Sequence, residues 1–430
     1  MFETICCINL LRRQDRWEDF RSRLPGDWPF SEVTRFPATD GQLCAPPDWW
    51  AESAGAWGCY RSHLRIIEEC LNSGIESVLI FEDDAIFPEN LASETQTFMQ
   101  NLPDDWQMIY LGGQLLREGF RPPERINEWV YKPYNVNRTH AYAVRGKEML
   151  SVLYKHLLSN NWYPRHHIDH HYGRLHQAGQ YQVYVPRHWI VGQLGGPSDV
   201  SNQQTETTFW NHAEEVWKRG PEPLVIVVGL HESAASRVSL ALHHLGVYMG
   251  SNLEGAANQL DAEDQALAQL CEWAAPFPQT QFKLVEPVLR DRLEDWLGNH
   301  MWQARLTNKL AGGKYPLLCA LGRYLHEFCG QRLRVIDVRE PTESLVTSLQ
   351  LRLRKVPNAS FDSDAQAVQV QHWLMSEKER FLAMAPHLSL PVVQLTNDPV
   401  GTVQSITSYL GLSPSADQKD NAAKALQAMA

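Results

Sequence analysis

Short apolar-rich runs alternate along the chain with longer segments in which apolar residues recur at helical spacing. Thr4 to Leu10, Ser77-Val78-Leu79-Ile80-Phe81, Met108 to Leu111, Thr139 to Val144, Tyr181 to Pro186 and Leu224 to Val228 belong to the first kind. Such runs read as strands of a mainly parallel sheet, because a strand covered on both faces loses the period-two pattern. Arg12 to Arg23 reads as a charged helix. Gly58 to Ser73 places Leu64, Ile67 and Leu71 at helical spacing and ends at Gly74, and Lys147 to Leu158 reads as a third helix. Residues 42–57, rich in Pro, Ala and Trp, read as a loop, and 115–135 as an irregular surface excursion. Strands alternating with helices specify an α/β fold.

A length of 430 residues exceeds what one core usually supports, so two domains are expected. The boundaries fall at 1–208, a helix and linker over 209–222 that closes on Gly-Pro-Glu-Pro, and 223–430. The formal charge of −11, with no stripe of Lys and Arg, argues against a nucleic-acid partner. No apolar run reaches the length of a membrane span, and the N-terminus enters a strand without a signal peptide. The expected location is therefore the cytoplasm, with at most a peripheral relation to a membrane. Eight scattered cysteines without a Cys-x-x-Cys pair indicate neither a zinc site nor a disulfide framework.

Candidate chemistry begins where the run Ser77 to Phe81 meets Glu82-Asp83-Asp84. Open α/β sheets bind ligands at the carboxyl ends of their strands, and three like charges there invite a cation. Oxygen donors suit Mg²⁺ or Mn²⁺. A solvated acidic turn is the alternative. Trp49, Trp50 and Trp57 stack on a sugar or pack together. The pairs His166/His170 and His167/His171 have an i,i+4 spacing that zinc accepts only with further ligands. Gly229 to Arg237, between the strand Leu224 to Val228 and a helix, forms an anion cradle, although it lacks the Gly-Lys-Ser/Thr of a general P-loop.

The ordered series Ile8-Asn9-Leu10, Arg13, Asp15-Arg16, Ala38, Asp40-Gly41, Gly58-Cys59, Ser62-His63, Glu82-Asp83-Asp84 and Ile109 to Gly113 resembles the family 25 glycosyltransferases, which include lipopolysaccharide sugar transferases and collagen galactosyltransferases. The resemblance implies a GT-A-like nucleotide-sugar transferase domain. In it the acid triplet replaces the Asp-x-Asp motif and holds Mn²⁺ or Mg²⁺ against the donor diphosphate. By the same resemblance Asn9, Arg13, Arg16, Asp40, His63, Gly112 and Gly113 belong to the nucleotide-sugar site. Asp169 contacts the acceptor or acts as base. A further metal ligand comes from His188, His170 or Asp169. The implied reaction is transfer of a hexose, UDP-linked galactose or glucose, to a hydroxyl of a glycan or glycolipid acceptor, with inversion.

The second half resembles bacterial sulfotransferases, which use 3′-phosphoadenosine 5′-phosphosulfate (PAPS). The likeness rests on Gly229 to Arg237, Leu245-Gly246-Val247, Asn258, Lys314-Tyr315-Pro316 and Val335 to Pro341. It implies a P-loop sulfotransferase-like α/β domain, with Ser233, Ser236 and Arg237 at the phosphosulfate and Arg339, Thr347 and Ser348 at the 3′-phosphate. Glu232 stands where that family places a cation, and Ala234 and Ala235 replace Gly and Thr. Three readings follow: a glycosyltransferase, an enzyme that adds a sugar and sulfates it, or a non-catalytic binding protein.

Overall fold

The computed structural model describes every residue except 160–166, 201–203, 231–232, 251–263, 276–285, 342–343, 345–346, 348–363 and 429–430. His166, Glu232, Asn258 and Ser348 therefore lie outside the described residues. The chain divides into two compact units, Met1–Gly220 and Pro221–Ala430. Among the described residues, no helix is long and apolar enough to cross a membrane.

The first unit runs β1 (Thr4–Asn9), α1 (Gln14–Ser22), β2 (Thr34–Pro37), α2 (Ala54–Ser73), β3 (Ser77–Glu82), β4 (Ala85–Ile86), α3 (Leu91–Asn101), β5 (Met108–Leu115), β6 (Glu124–Arg125), β7 (Val130–Lys132), β8 (Val136–Arg145), α4 (Lys147–Leu158), α5 (Ile168–Gln177), β9 (Val183–Pro186), β10 (Gly192–Gln193), β11 (Gly196–Pro197), β12 (Gln204–Thr205) and α6 (Ala213–Arg219). Eight strands form one sheet in the order β2-β1-β3-β8-β5-β9-β7-β6. β1 pairs in parallel with β2 and β3, whereas β8 runs antiparallel between β3 and β5, so this sheet is mixed rather than mainly parallel as expected.

Both faces of this sheet are covered, which explains the unbroken apolar run in β3. Val78 and Ile80 enter one core with Ile8, Ile67, Tyr110 and Tyr142, while Leu79 and Phe81 enter another with Phe20, Phe98 and Leu111. Each side chain buried in this way contributes about 1.5–3 kcal/mol.

Several boundaries differ from the sequence expectation. α2 starts at Ala54, inside the expected loop, because Ser53 caps it by accepting a hydrogen bond from the Ala56 amide. Gly74 ends it in the left-handed region at φ 69°. The surface excursion contains β6 and β7, which complete one edge of the sheet. The helix expected within 209–222 is present as α6, but its Ala213 and Val216 are buried in the first unit's core, so it belongs to that unit rather than to a linker. The Trp cluster packs: Trp50 and Trp57 lie 5.1 Å apart edge-on, and Trp57 stacks on Tyr60 at 5.0 Å.

His176 on α5 is buried among protein groups. The Val136 amide donates to its Nδ1 at 3.4 Å, and Tyr110 Oη lies 3.3 Å from Nε2. Burial, with His156 nearby, pushes its pKa down to about 3. An unfolded histidine protonates near 6.5, so below that pH the unfolded chain takes up a proton that the fold refuses. Stability is thus lost as pH falls from about 6.5 toward 3, by about one proton's share for this residue. In thermal unfolding between pH 6.5 and 4, a His176→Gln variant should show a shallower decline in Tm than wild type; an unchanged slope would remove this assignment.

The second unit has a wholly parallel five-stranded sheet. Its strands are β13 (Leu224–Val228), β14 (Val247–Tyr248), β15 (Leu310–Lys314), β16 (Leu333–Arg339) and β17 (His387–Pro391), in the order β14-β15-β13-β16-β17. α7 (Ala235–His244) follows the loop after β13 and buries Val238 and Leu242 in a core shared with Ala422 and Leu426 of the helix Ala416–Gln427. Both units are α/β, as the alternating pattern requires.

Candidate active site

The parallel register of β1 and β3 sets Ile8 opposite Glu82, which brings Asn9 beside Asp83 at the carboxyl edge of the sheet. Asn9 Nδ2 donates to Asp83 Oδ2 at 2.6 Å, and Arg16 Nη2 from α1 reaches Asp83 Oδ1 at 2.7 Å. Glu82 is engaged instead by β8 and α2. Thr139 Oγ1 donates to Glu82 Oε1 at 2.6 Å, and His63 Nε2 lies 3.4 Å from the same oxygen. Asp84 sits in the turn between β3 and β4. Gln193 Nε2 donates to its Oδ2 at 3.1 Å, the Leu194 amide donates to its backbone carbonyl at 2.7 Å, and Arg16 is 3.7 Å away.

Charge is unevenly balanced across the triplet. Burial alone would raise Glu82, yet His63, Thr139 and His140 outweigh it and hold the carboxyl at about 2. Burial raises Asp83, with Arg16 and Asn9 opposing. Burial and the charges of Glu82 and Asp83 push Asp84 up to about 7, with only partial relief from Arg16 and Gln193. Asp84 Oδ1 is buried and makes no hydrogen bond. A bare carboxylate oxygen in an acid cluster short of positive charge fits a hard divalent cation.

Around this cluster lies a layer of guanidinium groups. Asp199 accepts from Arg12 Nη2 at 2.9 Å and Arg13 Nη1 at 2.7 Å, and Arg16 Nη1 is 3.4 Å away. Arg12 also pairs with Asp40 at 2.8 Å. The structure thus gathers Asn9, Arg16, His63, Glu82, Asp83 and Asp84, with Arg13 and Asp40 in the adjoining charge network. Asp169 is the second residue of α5; its Oδ2 accepts from the Arg138 amide at 3.2 Å and its Oδ1 from the His170 amide at 2.9 Å. That bond fixes it one residue from Thr139, the partner of Glu82.

Other expectations fare differently. At Gly112 and Gly113 the side-chain position is taken up by protein: a Cβ on Gly112 would overlap His140 Nε2 and the Val191 carbonyl, and one on Gly113 would meet Val136 and Trp189. Their missing side chains serve close packing within the protein. His188 is half exposed, lies 3.4 Å from Glu214 of α6 and packs against His212 at 5.0 Å, so α6 rather than the triplet engages it. Among the described residues the histidine run of α5 forms no three-ligand group. Thr139, His140, Gln193 and Asp199 escaped sequence reasoning. The first two were detectable as polar residues inside an apolar strand.

In the second unit the described residues just before and at the start of α7 are engaged by protein groups. The Ala234 amide donates to Glu340 Oε1 at 3.0 Å, and Ser233 Oγ accepts from the Ala235 amide at 3.4 Å. Arg237 Nη1 donates to the Leu426 carbonyl at 3.2 Å. Arg339 pairs with buried Asp337 at 2.7 Å, which also binds Lys378 at 2.6 Å. Ser236 is half-buried and Thr347 is exposed.

The sequence profile described as glycosyltransferase family 25 (LPS biosynthesis protein) matches residues 52–157. Procollagen galactosyltransferase 1 of Danio rerio is 25% identical over 265 residues, covering 52% of this chain and 43% of the relative. The inactive glycosyltransferase 25 family member 3 of Homo sapiens is 38% identical over 132 residues, 26% of this chain and 22% of the relative. The chain therefore spans less than half the length of these relatives. Among solved structures, the sulfotransferase domain from the curacin biosynthetic pathway aligns with 46% of this chain and 76% of its own at 12% identity and a TM-score of 0.29. The sulfotransferase domain of the Synechococcus PCC 7002 olefin synthase gives 15% identity and a TM-score of 0.27, likenesses too slight to bear on activity. The N-terminal unit is thus similar to family 25 glycosyltransferases over the stretch that carries α2, the acid triplet, β5 and β8.

Proposed function

We propose that the first unit transfers a hexose from a UDP-linked donor, galactose or glucose, to a hydroxyl of a glycan or glycolipid acceptor, with inversion. The observation that carries this reading is the bare, buried Oδ1 of Asp84 within a carboxylate triplet at a strand's end. Mn²⁺ or Mg²⁺, when bound, neutralises the departing diphosphate. Asp84 and Glu82 would hold the ion, while Asp83, locked by Asn9 and Arg16, sets the edge on which the donor lies. Arg12 and Arg13 supply positive charge toward the same edge. Asp169, held by two backbone amides, would accept the acceptor's proton on its remaining lone pairs.

The second unit is read as a domain that does not transfer sulfate. Glu340 occupies a loop amide that an anionic donor would need, and Arg339 is committed to Asp337. One assay tests both units. The full chain is incubated with a panel of nucleotide sugars and with PAPS in Mn²⁺, and release of nucleoside diphosphate and transfer of sulfate are followed with and without EDTA. A UDP-sugar should be hydrolysed slowly and only in the presence of metal. No turnover of any donor, or equal turnover in EDTA, would overturn the first reading, and robust sulfate transfer would overturn the second.

A further inference from the structure

We propose that Cys59, His63 and Glu82 form a second cation site, for a thiophilic divalent ion such as Zn²⁺, on the α2 side of the acid triplet. Cys59 and His63 are four residues apart on α2 and so share one helix face. That face meets the end of β3, where Glu82 closes the strand. The Cys59 sulfur, an imidazole nitrogen and a Glu82 oxygen all lie within 4.8 Å of one another. Ligands bound 2.0–2.3 Å from a tetrahedral ion sit about 3.5 Å apart. The 3.4 Å between His63 Nε2 and Glu82 Oε1 matches that spacing.

A second observation points to the same ligand. His63 is fully buried, and its Nε2 makes no hydrogen bond. Its Nδ1 lies 2.9 Å from Tyr142 Oη, which in turn lies 3.3 Å from Tyr172 Oη. An imidazole held through one nitrogen, with the other bare and facing a thiol and a carboxylate, is the arrangement of a metal-binding histidine with its supporting shell. Once an ion takes the place of a proton at Nε2, Nδ1–H would donate to Tyr142, and the tyrosine pair would hold the ring in that orientation.

A cysteine that carries no metal is held as S–H near neutral pH. On binding, the sulfur–hydrogen bond is exchanged for a sulfur–metal bond, and one proton passes to solvent. Glu82 is common to both positions, but thiolate and imidazole favour Zn²⁺ over Mn²⁺ and Mg²⁺, which sets this one apart from the oxygen-lined edge at Asp84. It also reverses the expectation from cysteine spacing, since one cysteine suffices when a histidine and a carboxylate complete the set.

The test needs no sugar donor, so its outcome is independent of the transferase reading. The full chain, reduced and stripped with chelator, is titrated with Zn²⁺ alone and studied by X-ray absorption at one equivalent. The expected shell has one sulfur at about 2.3 Å and otherwise nitrogen and oxygen. Cys59→Ser should remove the sulfur and weaken Zn²⁺ binding at least about 100-fold, and His63→Gln should weaken it comparably. In the wild-type protein, Zn²⁺ should slow alkylation of Cys59 but not of Cys44, as read by peptide mass spectrometry. An all-oxygen and nitrogen shell, a sulfur signal that persists in Cys59→Ser, or equal labelling of Cys59 with and without Zn²⁺ would each overturn the proposal.

Discussion

Asp84→Asn should lower metal-dependent turnover of the nucleotide-sugar donor by about 10³-fold or more while leaving the fold intact. The amide keeps the volume and can still accept from Gln193, but it loses the charge that the structure leaves unmatched at Oδ1. A metal at a departing diphosphate supplies several kcal/mol of charge stabilisation, and each 1.36 kcal/mol is tenfold in rate, hence about 10³. The fold should tolerate the change, because the wild-type carboxyl is already raised to about 7 by burial and by Glu82. Donor hydrolysis in Mn²⁺ and thermal unfolding, measured side by side, check both halves. A folded variant with near-wild-type turnover would sink the assignment of Asp84.

The second large effect is expected from one added methyl group. In Gly112→Ala the new Cβ would collide with the backbone carbonyl of Val191 and with His140. Ile190 and Val191 both donate to the Leu111 carbonyl, at 2.8 and 3.0 Å, so this segment cannot retreat without losing those bonds. Overpacking of this kind costs about 1–3 kcal/mol. The strain passes onward, because Gly192 and Gln193 pair with Ile86 and Ala85 beside Asp84. The variant should therefore unfold several degrees earlier and turn over donor more slowly. Unchanged Tm and turnover would show that the segment from 190 to 194 yields more easily than its hydrogen bonds imply.

Much of the fold was legible in runs and breaks. The apolar run of β3 and the charges that end it marked both a buried strand and the sheet edge where it stops, because burial on two faces and a strand terminus leave local marks. What lay hidden was set by pairing at long range. β6 and β7 are two and three residues long and exist only through their neighbours in the sheet. The start of α2 was masked by Trp and Pro around Ser53, although its serine cap was in view. Thr139 and His140 carry their meaning only once β8 lies against β3. Likewise Glu340 stands next to Arg339 in sequence, but its reach to the Ala234 amide closes a separation of 106 residues that no local pattern encodes.

Asp199 has a bearing on the order in which the molecule comes together. Its contacts with Arg12, Arg13 and Arg16 close separations of 187, 186 and 183 residues. Loop closure over such lengths costs little more free energy than over half of them, but non-local contacts are slow to form. At about 5–20 residues per second of synthesis, α1 emerges roughly 10–40 s before its last counter-charge exists. These arginines are thus made long before their counter-charge, and the charge network they form is among the last parts of the unit to be completed.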